Sequence, residues 1–468
     1  MNSKIEGLWA KTYKPFFVLY LLCVCGLAAC TEKMEHTAKY DDLRVSNDTI
    51  CFDSVFVQQV SPTQWLRVYN QNDYPIRLPS LRLLKGEESA FTLLIDGQDT
   101  RESEGLRIEG KDSLSIVIRL KPEKELKTLP INDVIDIRTA DGAHRQVHLK
   151  AWGLSYTELD ADVFEKDCDL KENTVLIITK SVEVKASATL RIPAGVQIYF
   201  KPKGSLTVFG RLEVVGTADS RVLFAGTRLD SGYKYAPGQW QGVRLMPGSG
   251  PHRMSHLTVR SAVTAFRADD LLEPLQCENC IFTGSSRDAI VLRKSSLRAT
   301  GCIFAQNTGS AISLRGGRVQ LSFCTLSGDS RFGQGRRAPL LVVGSSAEES
   351  ENMLSIENSI VWGTQSNEIR IIEPTTRNTI TATHSLFKWQ QDRPADAPSW
   401  DAIQYNDPKF ANPARQNYEL QESSPARGAA LIQLQGEGSL LKDLKGIDRL
   451  HPDGTADLGA LVYSPKKP

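Results

Sequence analysis

From residue 48 onward apolar and polar residues alternate in short runs. The stretches ICFDSVFV (50–57), LRVYN (66–70), FTLLI (91–95), LSIVIRL (114–120), VIDIR (134–138) and VHLKAW (147–152) follow this pattern, each bounded by Gly, Pro or polar residues. A period of two sends successive side chains to opposite faces of a strand. Short strands at this spacing, without helical periodicity, predict a two-sheet β-sandwich over 47–154. His144 and His148 fall in one of these strands, four residues apart. That spacing makes a metal pair on a helix; on a strand it leaves two separated, solvated histidines.

Further along, the pattern acquires a longer period. Leu275, Cys277, Cys280 and Phe282 are followed 22 residues later by Leu297, Ala299, Cys302 and Phe304. The next interval brings Val319, Leu321, Cys324 and Leu326. After an insertion the spacing returns as Leu354, Ile356, Ser359 and Val361, then as Ile380, Ala382, Ser385 and Phe387. A second apolar set, Ala289, Ile290 and Leu292, recurs as Ala311, Ile312 and Leu314. A repeat of this length is one supersecondary unit that cannot bury its own apolar face, so units stack. Three short strands and their bends fill one coil, and coils stack at the interstrand distance of about 4.8 Å.

On this layout Cys280, Cys302 and Cys324 form one inward column that continues as Ser359 and Ser385. A zinc site would lean on Cys277 and Cys280 as CxxC, but no second CxxC or histidine pair completes it. A disulfide between adjacent coils is the other alternative. Core packing is the expectation, since cysteine is among the residues most often buried.

The run VLIITKSVEVKASATLRIPAGVQIYFKPKGSLTVFGRLEVVGTADSRVLFAG begins the coiled region, and PGQWQGVRL (237–245) lies within it. These phrases resemble bacterial right-handed parallel β-helix proteins. That resemblance implies a right-handed parallel β-helix over 170–390. VYNQNDYPIRL resembles Ig-like modules of cilium and cell-surface proteins. In the tail, DPKF (407–410), YEL (418–420), SPA (424–426) and DLGA (457–460) resemble the C-terminal segment of choice-of-anchor β-helix proteins. This implies a cap over 391–468 that protects the open strand edges of the last coil. The fold expectation is therefore all-β: an Ig-like sandwich, a right-handed parallel β-helix and a C-terminal cap. No cofactor is expected. Calcium held by Asp448 and Asp457 is the alternative, although their spacing matches no EF-hand loop.

The N-terminus changes where this chain is expected to work. Lys4, Lys11 and Lys14 precede an apolar run, 16–22, that ends in LAAC at Cys30. The run is too short for a bilayer, which takes roughly 20 residues. It resembles a bacterial lipoprotein signal, which implies cleavage after residue 29 and lipid on Cys30. A polar tether, 30–46, follows. Glu32 and Glu35 resemble the surface-export signal of Bacteroidetes lipoproteins, which implies the outer face of the outer membrane. Disulfides are permitted outside the cytoplasm, and six cysteines remain beyond Cys30.

Composition excludes little else. The 468 residues carry a net charge of +1 with 24% charged residues, which argues against nucleic acid as a partner. Fold does not give function. The phrases NTD and GHG of galacturonan hydrolases do not occur in 175–390, and the pair Asp269–Asp270 stands without them. The lyase phrase RxPxxR begins at Arg337 but meets Val342 where its second arginine belongs. Residues 281–340, however, hold nine basic residues against two acids, an excess of seven positive charges.

Arg293 and Arg315 fall one coil apart in a single column, with Arg318 beside them. Arg331, Arg336 and Arg337 fall in the extra length before Leu354, where a projecting loop is expected. Arginine's planar fork suits carboxylate and sulfate groups. These six arginines are the candidate ligand-binding residues, and a solvated basic face is the alternative. Trp362 and Trp240 are candidate sugar-stacking or packing residues. The expected function is lipid-anchored, non-catalytic recognition of an acidic polysaccharide or an envelope component. A β-helix polysaccharide lyase or hydrolase is the first alternative, and an architectural spacer or adhesin the second.

Overall fold

The structure is a computed structural model that describes residues 36–59, 61–122, 130–159, 161–330, 336, 338–344, 351–372, 378–390, 400–432 and 442–465. Among these, helical geometry is confined to three single 3-10 turns, at Tyr40–Asp42, Gly86–Glu88 and Pro413–Arg415. The chain divides into two units. One comprises residues up to 52 and 57–153; the other comprises 53–56 and everything from 154 onward.

The first unit is the expected sandwich. One sheet orders Leu43–Val45, Gln64–Asn70, Ser113–Leu120, Phe91–Ile95 and Gln98–Thr100. The other is built around Ile76–Leu83, Pro130–Arg138 and His144–Leu154. Alternation fills the interior: Leu66, Val68, Ile116 and Ile118 from one sheet and Leu78, Leu81, Ile135 and Val147 from the other are fully buried. Phe52 meets Phe91 across the layers, with ring centroids 5.5 Å apart. Asn70 explains the turn in VYNQNDYP. Its Oδ1 accepts from Asn72 N at 2.9 Å, while Nδ2 donates to the carbonyls of Tyr74, Ile108 and Glu109. His144 Nδ1 lies 2.9 Å from the buried carboxylate of Asp136, whereas His148 is exposed.

The second unit is a parallel β-helix. Up to the last coil each strand pairs with the one three places later, so each coil contributes one strand to each of three stacks; the long strand Asn378–Phe387 spans two of them. We call these face one, face two and face three in chain order. One coil runs Phe266–Asp269, Leu275–Glu278, Ile281–Thr283. The next runs Ile290–Arg293, Leu297–Thr300, Ile303–Ala305, and the third Ile312–Arg315, Gly317–Ser322, Thr325–Ser327. The registers Leu275↔Leu297↔Val319 and Phe282↔Phe304↔Leu326 reproduce the 22-residue repeat. Inside, these columns make one continuous apolar core with stacked rings, such as Phe282 over Phe304 at 4.9 Å. Trp240 is fully buried, stacks on Phe200 at 4.0 Å and donates its indole N–H to Arg260 O. It is a packing residue.

The bend from face two to face three is the most regular. Two residues separate the strands in four coils, and the first has positive φ: Asn279 at 50°, Gly301 at 64°, Phe323 at 51° and Asn358 at 48°. Asn and Gly are the residues that enter this left-handed region most readily.

The C-terminal segment both extends and flanks the helix. Trp400–Gln404 adds a parallel strand beside Asn378–Phe387. The residues that follow lie along the outer side of face three, where Ile303, Ala305, Ile360 and Leu386 point away from the core. Phe410, Tyr418, Leu444, Leu458 and Leu461 cover them. Outward apolar side chains on a parallel sheet require such a layer.

Candidate functional site

The recurrent thiols sit immediately after the left-handed corner residue. Cys280, Cys302 and Cys324 are fully buried and unbridged. Each thiol donates to the carbonyl two residues back, at 3.3–3.5 Å, in Glu278, Thr300 and Ser322. Ser359 and Ser385 make the same bond with their hydroxyls, to Glu357 O at 2.7 Å and Thr383 O at 2.8 Å. The sulfur or oxygen also accepts from the backbone of the coil before it: Cys280 N to Cys302 Sγ, Cys324 N to Ser359 Oγ and Ser359 N to Ser385 Oγ. The position therefore selects a small side chain with one donor and one acceptor, which is why serine replaces cysteine there. Burial, more than its neighbouring thiols, holds Cys302 well above the ordinary thiol range. No group of three or more metal-ligating side chains occurs among the described residues.

Two arginines border this corner, Arg221 half-buried and Arg449 buried. Arg221 donates to Leu257 O and, at 2.6 Å, to Asn279 O, and desolvation lowers its pKa. Arg449, from the flanking C-terminal layer, donates to Gly459 O at 2.9 Å and lies 4.5 Å from the Phe323 ring centroid. Its burial lowers its pKa to about 10 against the raising influence of Asp443 and Asp457. Asp457 is fully engaged as well. Its oxygens accept from Gly428 N and Tyr463 N, and His451 Nε2 lies 3.0 Å away. Asp448 is exposed. The two aspartates considered for calcium thus hold different places in the fold, one of them structural.

The predicted basic residues separate into three groups. Arg293 and Arg315 are register neighbours on the outer side of face one, in a column headed by Asp269, whose carboxylate is held by Arg267 at 2.8 Å. Arg318 stands on the outer side of face two. Its N–H donates to Ser296 Oγ, and its guanidinium contacts Met353 Sδ at 3.2 Å. Arg336 does not project. It is buried against Glu368, with side chains 1% and 0% exposed, and it also donates to Ala338 O. A charge inside the coil needs a partner, and Glu368 supplies it. Arg331 and Arg337 lie outside the described residues, as does Cys30. Trp362 is half-buried against the C-terminal layer, with Lys388 Nζ 5.4 Å from its ring centroid. Its ring is a packing surface.

Lys294 and Arg298, counted in the basic excess but not assigned to the site, complete an arrangement with Arg318. At the bend from face one to face two these three cations, with Glu351, Gln320, Ser296 and Met353, line a depression of about 580 Å³. The outward alternation of 296/298 against 318/320 in the 22-residue rows is the signal that would have found it. Arg298 lies opposite Gln276 on one side and Gln320 on the other. The same outward column four coils earlier reads differently. There Arg191 is met by Asp169 at 3.2 Å, Glu213 at 3.1 Å and Asp167 at 3.6 Å. Among the described residues Arg293, Lys294, Arg298, Arg315 and Arg318 have no carboxylate within ion-pair distance. Arg191 is neutralised within its own column; among the described residues these five cations are not.

No protein-family model matches the chain, and neither does any curated protein. Solved structures match in part. A protein of unknown function from Porphyromonas gingivalis W83 is similar over 27% of this chain and 50% of its own, at 16% identity and a TM-score of 0.19. A family 123 glycoside hydrolase from Clostridium perfringens is similar over 28% of this chain and 34% of its own, at 10% identity and a TM-score of 0.19. The PapD-like domain 7 of human CEP192 is similar over 24% of this chain and 84% of its own, at 12% identity and a TM-score of 0.17. The chain thus spans half the length of the first of these and about a third of the second.

Proposed function

We propose that this chain is a lipid-anchored protein of the bacterial outer surface, of the choice-of-anchor β-helix kind. In this reading its β-helix recognises an acidic glycan or an acidic envelope component without transforming it. One observation carries the reading: among the described residues, the five cations of the coils between residues 293 and 318 lack carboxylate partners like those that neutralise Arg191. Unpaired guanidiniums on a rigid sheet are pre-spaced to meet an anion, and rigidity lowers the entropic cost of binding. Glycoside hydrolysis uses a pair of free carboxylates, and Asp269, at the head of the arginine column, is engaged by Arg267. Anchoring rests on the Lys-rich start and LAAC motif ending at Cys30.

The test is electrophoresis of the purified protein through gels containing polygalacturonate, beside a digest of the same polymer. Retardation that weakens with salt, as screening requires, with no shortening of the polymer, is the expected result. Retardation unchanged in an Arg293→Ala/Arg315→Ala/Arg318→Ala variant would remove the basic surface from the account. Membrane fractionation of Cys30→Ser tests the anchor, and retention in the outer membrane would refute it.

A further inference from the structure

The depression at the bend between faces one and two has a more specific chemistry than the charged surface around it. We propose that it is a binding site for an acidic sugar within an oligosaccharide. The acid group lies between Arg298 and Arg318, and the hydroxyls lie on Glu351, Gln320 and Ser296. The proposal rests on the glycan-recognition reading and narrows it to one site and one ligand class.

Its size, about 580 Å³, falls among small-ligand clefts, which run from roughly 300 to 1,000 Å³. Register sets the spacing of its cations. Arg298 is opposite Gln320, and Arg318 bonds to Ser296 on the adjoining strand, so the two arginines stand on a diagonal. Diagonal neighbours on paired strands lie on the order of 7–8 Å apart at the backbone, and a single acid group can bridge two such long side chains. Arg298 Nε donates to Gln320 Oε1 at 3.2 Å, which orients the guanidinium and leaves its terminal nitrogens for a ligand. Among the described residues the Arg318 guanidinium hydrogen-bonds only to the weakly accepting Met353 sulfur.

Glu351 decides the ligand class. It lines the same depression as Lys294, Arg298 and Arg318. A carboxylate there repels a densely charged anion such as sulfate or phosphate. It is, however, a strong acceptor for hydroxyl groups. Gln320 and Ser296 offer further hydroxyl partners, and Pro274, Leu297 and Met353 offer apolar contact for C–H faces. Three cations, one carboxylate and neutral polar groups fit a molecule that combines isolated acid groups with many hydroxyls.

The experiment is isothermal titration of the full chain with the galacturonate trimer, sodium sulfate and a neutral glucan trimer, each variant first checked by circular dichroism. The galacturonate trimer should bind, and the neutral trimer should bind at least tenfold more weakly. Arg298→Ala and Arg318→Ala should each weaken the acidic trimer at least tenfold. Arg211→Ala, on an earlier coil, should change affinity less than twofold. Glu351→Gln should weaken the acidic trimer several-fold while strengthening sulfate. If Glu351→Gln strengthened both ligands alike, the site would be a bare anion site and the proposal would fall. If Arg298→Ala and Arg318→Ala were silent while Arg315→Ala abolished binding, this site would fall and glycan recognition would stand. Absence of binding to both trimer and polymer would overturn the two together.

Discussion

Removing Glu368 tests the interior charge pair. Arg336 and Glu368 are almost entirely withdrawn from water. Glu368 accepts from the Arg336 guanidinium, from Leu340 N at 3.0 Å and from Gln365 N at 2.9 Å. In Glu368→Ala the guanidinium is left buried without its counter-charge, and two amides lose their acceptor. Breaking a buried pair costs about 3–5 kcal/mol. An orphaned buried amide adds about 1–3 kcal/mol where water cannot reach it. These terms overlap, so the expected loss is about 3–5 kcal/mol rather than their sum. Glu368→Gln keeps a neutral acceptor and should cost less. Arg336→Met/Glu368→Gln removes the stranded charge and should recover much of the loss. The measurement is urea unfolding with native-state hydrogen exchange on Leu341–Val343, because the two units of the chain need not unfold together. A Glu368→Ala protein within about 1 kcal/mol of the parent, with unchanged exchange in that strand, would refute the argument from buried charge.

Three further outcomes follow from the same geometry. Cys302→Ser should be nearly neutral, because Ser359 and Ser385 already make the same bonds, whereas Cys302→Val should cost about 1–3 kcal/mol in thermal denaturation; equal effects would refute the ladder. Gly301→Ala should destabilise by more than about 1 kcal/mol, since φ is +64° and an added Cβ would fall 2.2 Å from Asn279 Oδ1; a neutral result in urea unfolding would contradict the tight corner. His252 is buried, accepts from Leu212 N and has its pKa lowered from 6.5 to about 4 by desolvation. Its folded pKa lies below the unfolded value, so the unfolded chain binds the extra proton. Its contribution is complete above pH 6.5 and is lost as pH falls toward 4, by about 3 kcal/mol in all. His252→Gln should flatten that part of the urea-midpoint profile between pH 7 and 4, and an unchanged profile would exclude His252 as its source.

Much of the coil was visible in the sequence because its columns are chemically uniform. Leu275, Leu297 and Val319, and Phe282, Phe304 and Leu326, repeat at one interval because stacked coils confront like with like. The sandwich strands showed themselves by alternation for the same local reason. Long-range pairing was harder to read. Arg336 looked like a surface residue because it lies in extra chain length. Its partner Glu368 is 32 residues away, an interval outside the repeat. The C-terminal layer was expected over the open end, yet it lies along face three. The signal was present in Ile303, Ile360 and Leu386, apolar on the side that alternation assigns to solvent. The depression was legible only in part. The repeat gave the rows for Arg298 and Arg318, but Glu351 enters from beyond an insertion that breaks the count.

The bend from face two to face three keeps two residues in four successive coils, while the return from face three to face one varies widely. Gly226 to Gly242 and Ser327 to Leu341 are long returns; Thr283 to Ile290 and Ala305 to Ile312 are short ones. One corner therefore works as a metronome, resetting the phase of the winding each time round. The opposite side can lengthen freely because its error never accumulates. Foreign peptides spliced into those returns should leave the beat intact, whereas a single residue added beside Gly301 should throw every later layer out of step.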